Sequence, residues 1–258
     1  ESEMHEQSMK KRLFRFFGAF SLISVVTVAA AACIVSYRHV MEMAVTTSEQ
    51  IVEKTADEVD NLLEDMISMS RIISRSAGVQ SVMRTEYPQY KAQFSDRFEL
   101  DAYLSELNQY NSSIFAMYFF ADNGIAAKSQ YYSFINEKAM DNPYCQKALQ
   151  SEHTIWLPPE QGSQFAVTTG ETLLTTVTPV KELGSGEYRG IVVVELEAAK
   201  VSSFLNTRVS ESGFLYIQDT YGRPIIGPAD MTAAQLSERV RQNASYSWKD
   251  AIFHDLRI

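Results

Sequence analysis

The chain has 258 residues, 32 of them acidic and 23 basic, for a net charge of −9. With residues 1–38 set aside, 18 basic and 29 acidic groups remain, a net of −11, and such a surface repels nucleic acid and anionic headgroups, so neither is a ligand of this part. Cys33 lies in an apolar run and Cys145 stands alone, so no internal disulfide holds the remaining part together, about 220 residues, which depends on its own core.

The first element is the uncharged run 16–37, whose 22 residues as a helix reach roughly 33 Å, enough to cross a hydrocarbon core. Two other uses of this run are open: signal cleavage after the Ala29 to Ala32 block, and lipid attachment at Cys33, although Ala30 stands where a Leu-like residue is wanted. Ile34 and Val35 prolong the apolar stretch past both sites and favour a permanent anchor. Lys10, Lys11, Arg12 and Arg15 precede the span and only Arg38 follows closely, which predicts a cytoplasmic amino terminus, residues 1–15, and export of everything after the span. The missing Met and the end at Ile258 without a closing element predict a fragment.

From Val45 the residues Val45, Ser48, Val52, Thr55, Val59, Leu62, Met66, Met69 and Ile73 recur every three or four positions, which predicts one long stalk helix over 38–84. Its stripe faces either a second copy, giving a homodimer, or the chain's own sheet, since Ile51, Leu63, Ile67 and Ile72 broaden it. The two coexist if different parts of the helix do each. A second helix is predicted over 97–108.

Next comes a hairpin, 114–120 against 125–129, across Asp122-Asn123-Gly124, where Asn-Gly supplies the positive φ angles of a tight turn. Strands over 172–180 and 188–196, a helix over 198–209, a third hairpin around 219–223 and a helical segment over 232–242 follow. This order, without βαβ alternation, is α+β with an antiparallel sheet.

Few residues suggest chemistry. Gly184-Ser185-Gly186 lies between two strands, whereas a phosphate cradle opens a helix. His5, His39, His153 and His254 are scattered, which speaks against a metal site or a catalytic triad, and Glu64 with Asp65 reads as a solvated helix face. No catalytic residue, metal or cofactor is expected. Aromatic side chains in polar stretches are more informative: Tyr131, Tyr132, Phe134, Tyr144 and Trp156 fall in or beside a long connection stiffened by Pro143, Pro158 and Pro159. Rings on a loop over a sheet commonly line pockets for small polar ligands, and equally often cap a core. Thr176 and Thr178 share one strand face and Thr175 takes the other. The candidate pocket-lining residues are Tyr118, Tyr131, Tyr132, Trp156 and Thr176.

The basic-flanked span, the long helix, "AMYFFADNG", "TTVTPV" followed by "GIVVVELE", and "GFLYIQDTYGRPI" together resemble the double Cache sensor domains of bacterial membrane receptors. That resemblance implies a PAS-like membrane-distal module over 85–205, part of a smaller membrane-proximal module over 206–258, and a small extracellular solute as partner. The segment "IVEKTADEVDNLLEDMISMSRIIS" is most similar to YesM-type sensor histidine kinases of two-component systems. Membrane-anchored AraC-type regulators and chemoreceptors carry similar heads. The Arg-x-Trp run that many amino-acid-binding members share is absent here, so no family ligand residue carries over. An exported or lipid-tethered solute-binding protein is the competing class, and a secreted enzyme lacks a constellation to support it.

Overall fold

The computed structural model describes residues 2–87, 90–130, 134–136, 139–167, 170–206, 214–219, 223–242 and 256–257. Its first element, α1 (Ser2–Arg75), contains the whole apolar run. It includes the one helix among the described residues that is long and apolar enough to cross a membrane. Two compact units divide the chain, residues 1–51 and 52–258. In the first, Phe16, Phe17, Phe20, Val28 and Val35 are all exposed, as suits a helix whose apolar side chains meet lipid.

In the second unit α1 buries Ala56, Val59, Leu63, Met66 and Ile73 and keeps Glu53, Asp57, Asn61, Glu64 and Asp65 outside. From Thr55 onward the heptad-like stripe is therefore taken up by the chain's own core, and only its early part, with Val45 exposed, stays open. The helix predicted over 38–84 divides at Ser76. Extended there (ψ 142°), Ser76 caps α2 (Ala77–Arg84) by accepting from the Val79 N–H. Gly78 lies inside α2. The second predicted helix starts earlier than expected, as α3 (Tyr90–Tyr110).

The sheet elements are β1 (Ala116–Ala121), β2 (Ala126–Lys128), β4 (Ile155–Gln161), β6 (Thr172–Lys181) and β7 (Tyr188–Glu197), with the short β3 (Phe134–Ile135) and β5 (Ala166–Val167) as a separate pair. The five form one antiparallel sheet in the order β2-β1-β7-β6-β4. Gly124 takes φ 85° in the β1–β2 turn, as the Asn-Gly pair requires. Beside it the Asn123 amide donates to the carbonyls of Val82 and Thr85, satisfying the end of α2. Pro158 and Pro159 are tolerated because β4 is an edge strand, with its register shifting between Leu157 and Glu160.

One face of the sheet receives α2. A Cβ on Gly190 would meet Phe119 at 3.0 Å and the Met83 sulfur at 3.1 Å, so a side chain there would push its neighbours back by a few tenths of an ångström. The other face is covered by a 3₁₀ turn (Ala139–Asp141), α4 (Pro143–Ser151) and the segment around Phe165, which pack Ala139, Cys145, Ala148 and Phe165 onto Tyr118, Phe120, Val177, Ile191 and Val193. After β7 come α5 (Ala198–Leu205), β8 (Ile217–Asp219), β9 (Pro224–Ile226), α6 (Ala233–Gln242) and β10 (Leu256–Arg257). The last strands form a second, three-stranded antiparallel sheet, β10-β8-β9. The α+β order holds throughout.

Candidate functional site

Antiparallel neighbours that pair directly point to the same side of a sheet, so the register assigns every side chain to a face. Tyr118 pairs with Val193, Val193 with Val177 and Val177 with Ile155. The parallel row two residues away is Ala116, Glu195, Thr175 and Leu157. Both rows belong to the face covered by α4 and Phe165. The intervening row, Met117, Val194, Thr176 and Trp156, belongs to the opposite face.

That register separates the sequence candidates. Tyr118 lies on the covered face, whereas Thr176 and Trp156 point the other way, so these three do not line one pocket. Thr176 is fully buried, and its hydroxyl donates to the Val194 carbonyl of the adjacent strand. Its neighbour Thr175 shares the Tyr118 face instead. Tyr131 and Tyr132 lie outside the described residues.

On the covered face, near the end of β7, is Glu195, a carboxylate with no exposure at all. Ser163 donates to its Oε1 at 2.5 Å and itself accepts from the backbone N–H groups of Phe165 and Ala166 at 3.0 and 3.2 Å. Glu195 thus ties the covering segment to the sheet. Its second oxygen, Oε2, has no hydrogen-bond partner, and neither has the buried hydroxyl of Tyr118. The phenol lies close to both Glu195 and Ser163 and eases the carboxylate's ionisation as a hydrogen-bonding neighbour, short of full hydrogen-bond geometry.

Burial dominates the electrostatics here. Desolvation pushes Glu195 up to about 7, against the smaller opposing pull of Ser163 and Tyr118. It likewise pushes the Tyr118 phenol well above its ordinary range, with the charge of Glu195 adding to the shift. Tyr118 stacks on Phe120 at 6.3 Å, and Phe120 meets Phe165 at 6.2 Å, giving the site an aromatic wall. Polar atoms that lack a full hydrogen bond in a buried apolar setting cost stability, so Glu195 and Tyr118 are the costly pair of this face.

The covering elements follow from local sequence. Asn142 caps α4 by accepting from the Tyr144 N–H at 2.9 Å, with Pro143 at the first helical position. Glu195 itself carries a readable signal, a charge placed inside the apolar strand "GIVVVELE". Away from Glu195, a concavity of about 380 Å³ is lined by Glu171, Glu197, Ile225, Pro228, Met231 and Leu236 among others. Among the described residues no three His, Cys, Asp or Glu side chains converge as metal ligands would.

No protein-family model and no curated relative matches the sequence. Solved structures do match in fold. The ligand-binding domain of the Pseudomonas aeruginosa amino-acid chemoreceptor PctC, in complex with GABA, superposes with a TM-score of 0.56 at 13% identity over 81% of this chain and 95% of that one. That of PctB from the same organism, in complex with L-Gln, gives 0.56 at 17% identity over 81% and 86%. The Pseudomonas fluorescens chemoreceptor CtaA, in complex with L-serine, gives 0.54 at 18% identity over 77% and 78%. The chain thus shares its fold with these ligand-binding domains.

Proposed function

We propose that the chain is the extracytoplasmic sensing part of a bacterial membrane receptor, and that it reads a small solute bearing a hydrogen-bond donor, best a protonated amine, at Glu195. The observation that carries this is the fully buried carboxylate of Glu195, held at Oε1 by Ser163 and flanked by the Tyr118 hydroxyl, on the covered face of a sheet with a sensor-domain fold. An ammonium group supplies both the donor and the charge that Glu195 lacks. The ligands in the neighbouring complexes, GABA, L-Gln and L-serine, each carry an amine. Without the Arg-x-Trp run, the amine-bearing class is assigned rather than α-amino acids as such.

In this reading the apolar part of α1 is the anchor, the basic residues before it stay in the cytoplasm, and the rest lies outside. A ligand with unequal affinity for two arrangements of sheet and helix shifts α1, which carries the change inward. Copies pair through the part of α1 before Thr55, where Val45 remains exposed. The output is a sensor histidine kinase of the YesM type, supported by the texture of residues 51–74. A chemoreceptor is the second reading, favoured by the fold neighbours.

Thermal unfolding of the full chain in lipid nanodiscs, with GABA, L-serine, L-glutamine, n-butylammonium, neutral sugars and short peptides, tests the sensor role. A binder raises the midpoint in proportion to the logarithm of its concentration. If no compound in such a panel shifts the midpoint, the sensor reading fails.

A further inference from the structure

Among the described residues Glu195 meets no counter-charge. Ser163 holds Oε1, Oε2 is unpartnered, and among the described residues no Lys, Arg or His forms an ion pair with it. The groups facing it are few and mostly neutral. β1 presents Tyr118, β6 the Thr175 hydroxyl, and α4 the thiol of Cys145, which burial pushes up to about 12. Lys128, opposite Tyr118 on β2, lies in the field of Asp101 and Arg97 on α3. One row further out, Glu160 and Glu197 flank Leu173 and add negative charge. An ionised carboxylate here is costly, and holding a proton removes the cost.

Resting on the sensor reading above, we infer that Glu195 exchanges a proton for the ligand: without ligand the carboxyl keeps its proton at mildly acidic pH, and a cationic ligand binds only the ionised form. The balance is simple. The carboxyl O–H bond breaks, the proton leaves to solvent, and an N–H of the ligand takes its place as donor to Oε2; no electron is transferred. The receptor's apparent affinity then depends on external pH. Burial places Glu195 at about 7, and Tyr118 stays neutral across the working range. Affinity for a cation falls about tenfold per pH unit below that value and levels off above it, so binding at pH 7 is about fifty-fold tighter than at pH 5.

The test is calorimetric titration of the full chain in nanodiscs with n-butylammonium and GABA at about pH 5, 6, 7 and 8. Alongside it, infrared difference spectra of the empty protein follow the protonated carboxyl band of Glu195, identified by its loss in Glu195→Gln. If that variant does not fold, Glu195→Asp identifies the band by shifting it. The expected result is a band present at about pH 6 and lost by about pH 8, with the cation affinity rising over the same interval. A carboxylate already ionised at about pH 5, an affinity flat with pH, or no binding of either the n-butylammonium cation or the GABA zwitterion overturns the inference. The sensor reading survives any of these if a neutral sugar or peptide binds, and fails only if the wider panel does.

Discussion

Arg84 donates from Nε to Oε1 of Glu182 at 2.6 Å, joining the last turn of α2 to the turn between β6 and β7. Glu182 also accepts from the backbone N–H groups of Gly184 and Ser185, both at 2.6 Å. Gln80 supports the same turn, donating to the Lys181 carbonyl and accepting from the Leu183 N–H. α2 is thereby clamped to the hairpin whose second strand carries Glu195.

The clamp predicts an acid-sensitive step in stability. Hydrogen bonds from Ser185, Gly184 and Arg84 lower Glu182 from 4.5 to about 2. A carboxylate with a depressed value stabilises the fold fully above its unfolded value and loses that contribution as pH falls toward the folded one. Midpoints from circular dichroism should therefore drop between about pH 4.5 and 2 in the parent chain, and Glu182→Gln should lose part of that pH dependence while starting from a lower midpoint at neutral pH. Equal slopes in both proteins would refute the role given to Glu182.

Ser163→Ala removes the donor to Glu195 Oε1 and the acceptor used by Phe165 and Ala166. Leaving a buried carboxylate oxygen without its bond costs about 1–3 kcal/mol in urea unfolding. Because that hydrogen bond pulls Glu195 downward, its loss moves the carboxyl further above about 7. Unchanged stability, or a carboxyl that becomes more acidic, would contradict the assignment of Ser163 as the tie.

Local chemistry was legible in the residues, and long-range register was not. Asp122-Asn123-Gly124 announces its hairpin because the turn geometry is a property of three residues, and Gly124 takes the positive φ it implies. Asn142-Pro143 carried an equally local signal for α4, but the prolines around it read as stiffeners of a loop. The alternation of Thr175 and Thr176 was plain, yet which of them joins Tyr118 depends on pairing β6 with β7 and β7 with β1, contacts far apart in sequence. Glu195 is hidden inside "GIVVVELE", where a strand buried on both faces conceals which of its two glutamates is fully buried.

The two faces make opposite demands on neighbouring threonines. Thr175 is in register with Glu195 on the covered face, and Thr176 lies on the face away from it. With GABA as probe, Thr175→Val should weaken binding about three- to tenfold, the worth of one hydrogen bond, and Thr176→Val should leave it within about twofold. Calorimetry on the two variants checks this, and the reverse order would place the ligand on the opposite side of the sheet.

Orientation across the membrane is open to chemical labelling. Cys145 is buried, and its thiol is pushed up to about 12, so a membrane-impermeant maleimide should leave it untouched in intact cells. Lys147 on α4 is exposed, and Lys147→Cys should react from outside. Lys10→Cys, among the basic residues before the apolar run, should react only after permeabilisation. Labelling of Lys10→Cys in intact cells would invert the topology and place the Glu195 site in the cytoplasm, where external pH and solutes cannot reach it.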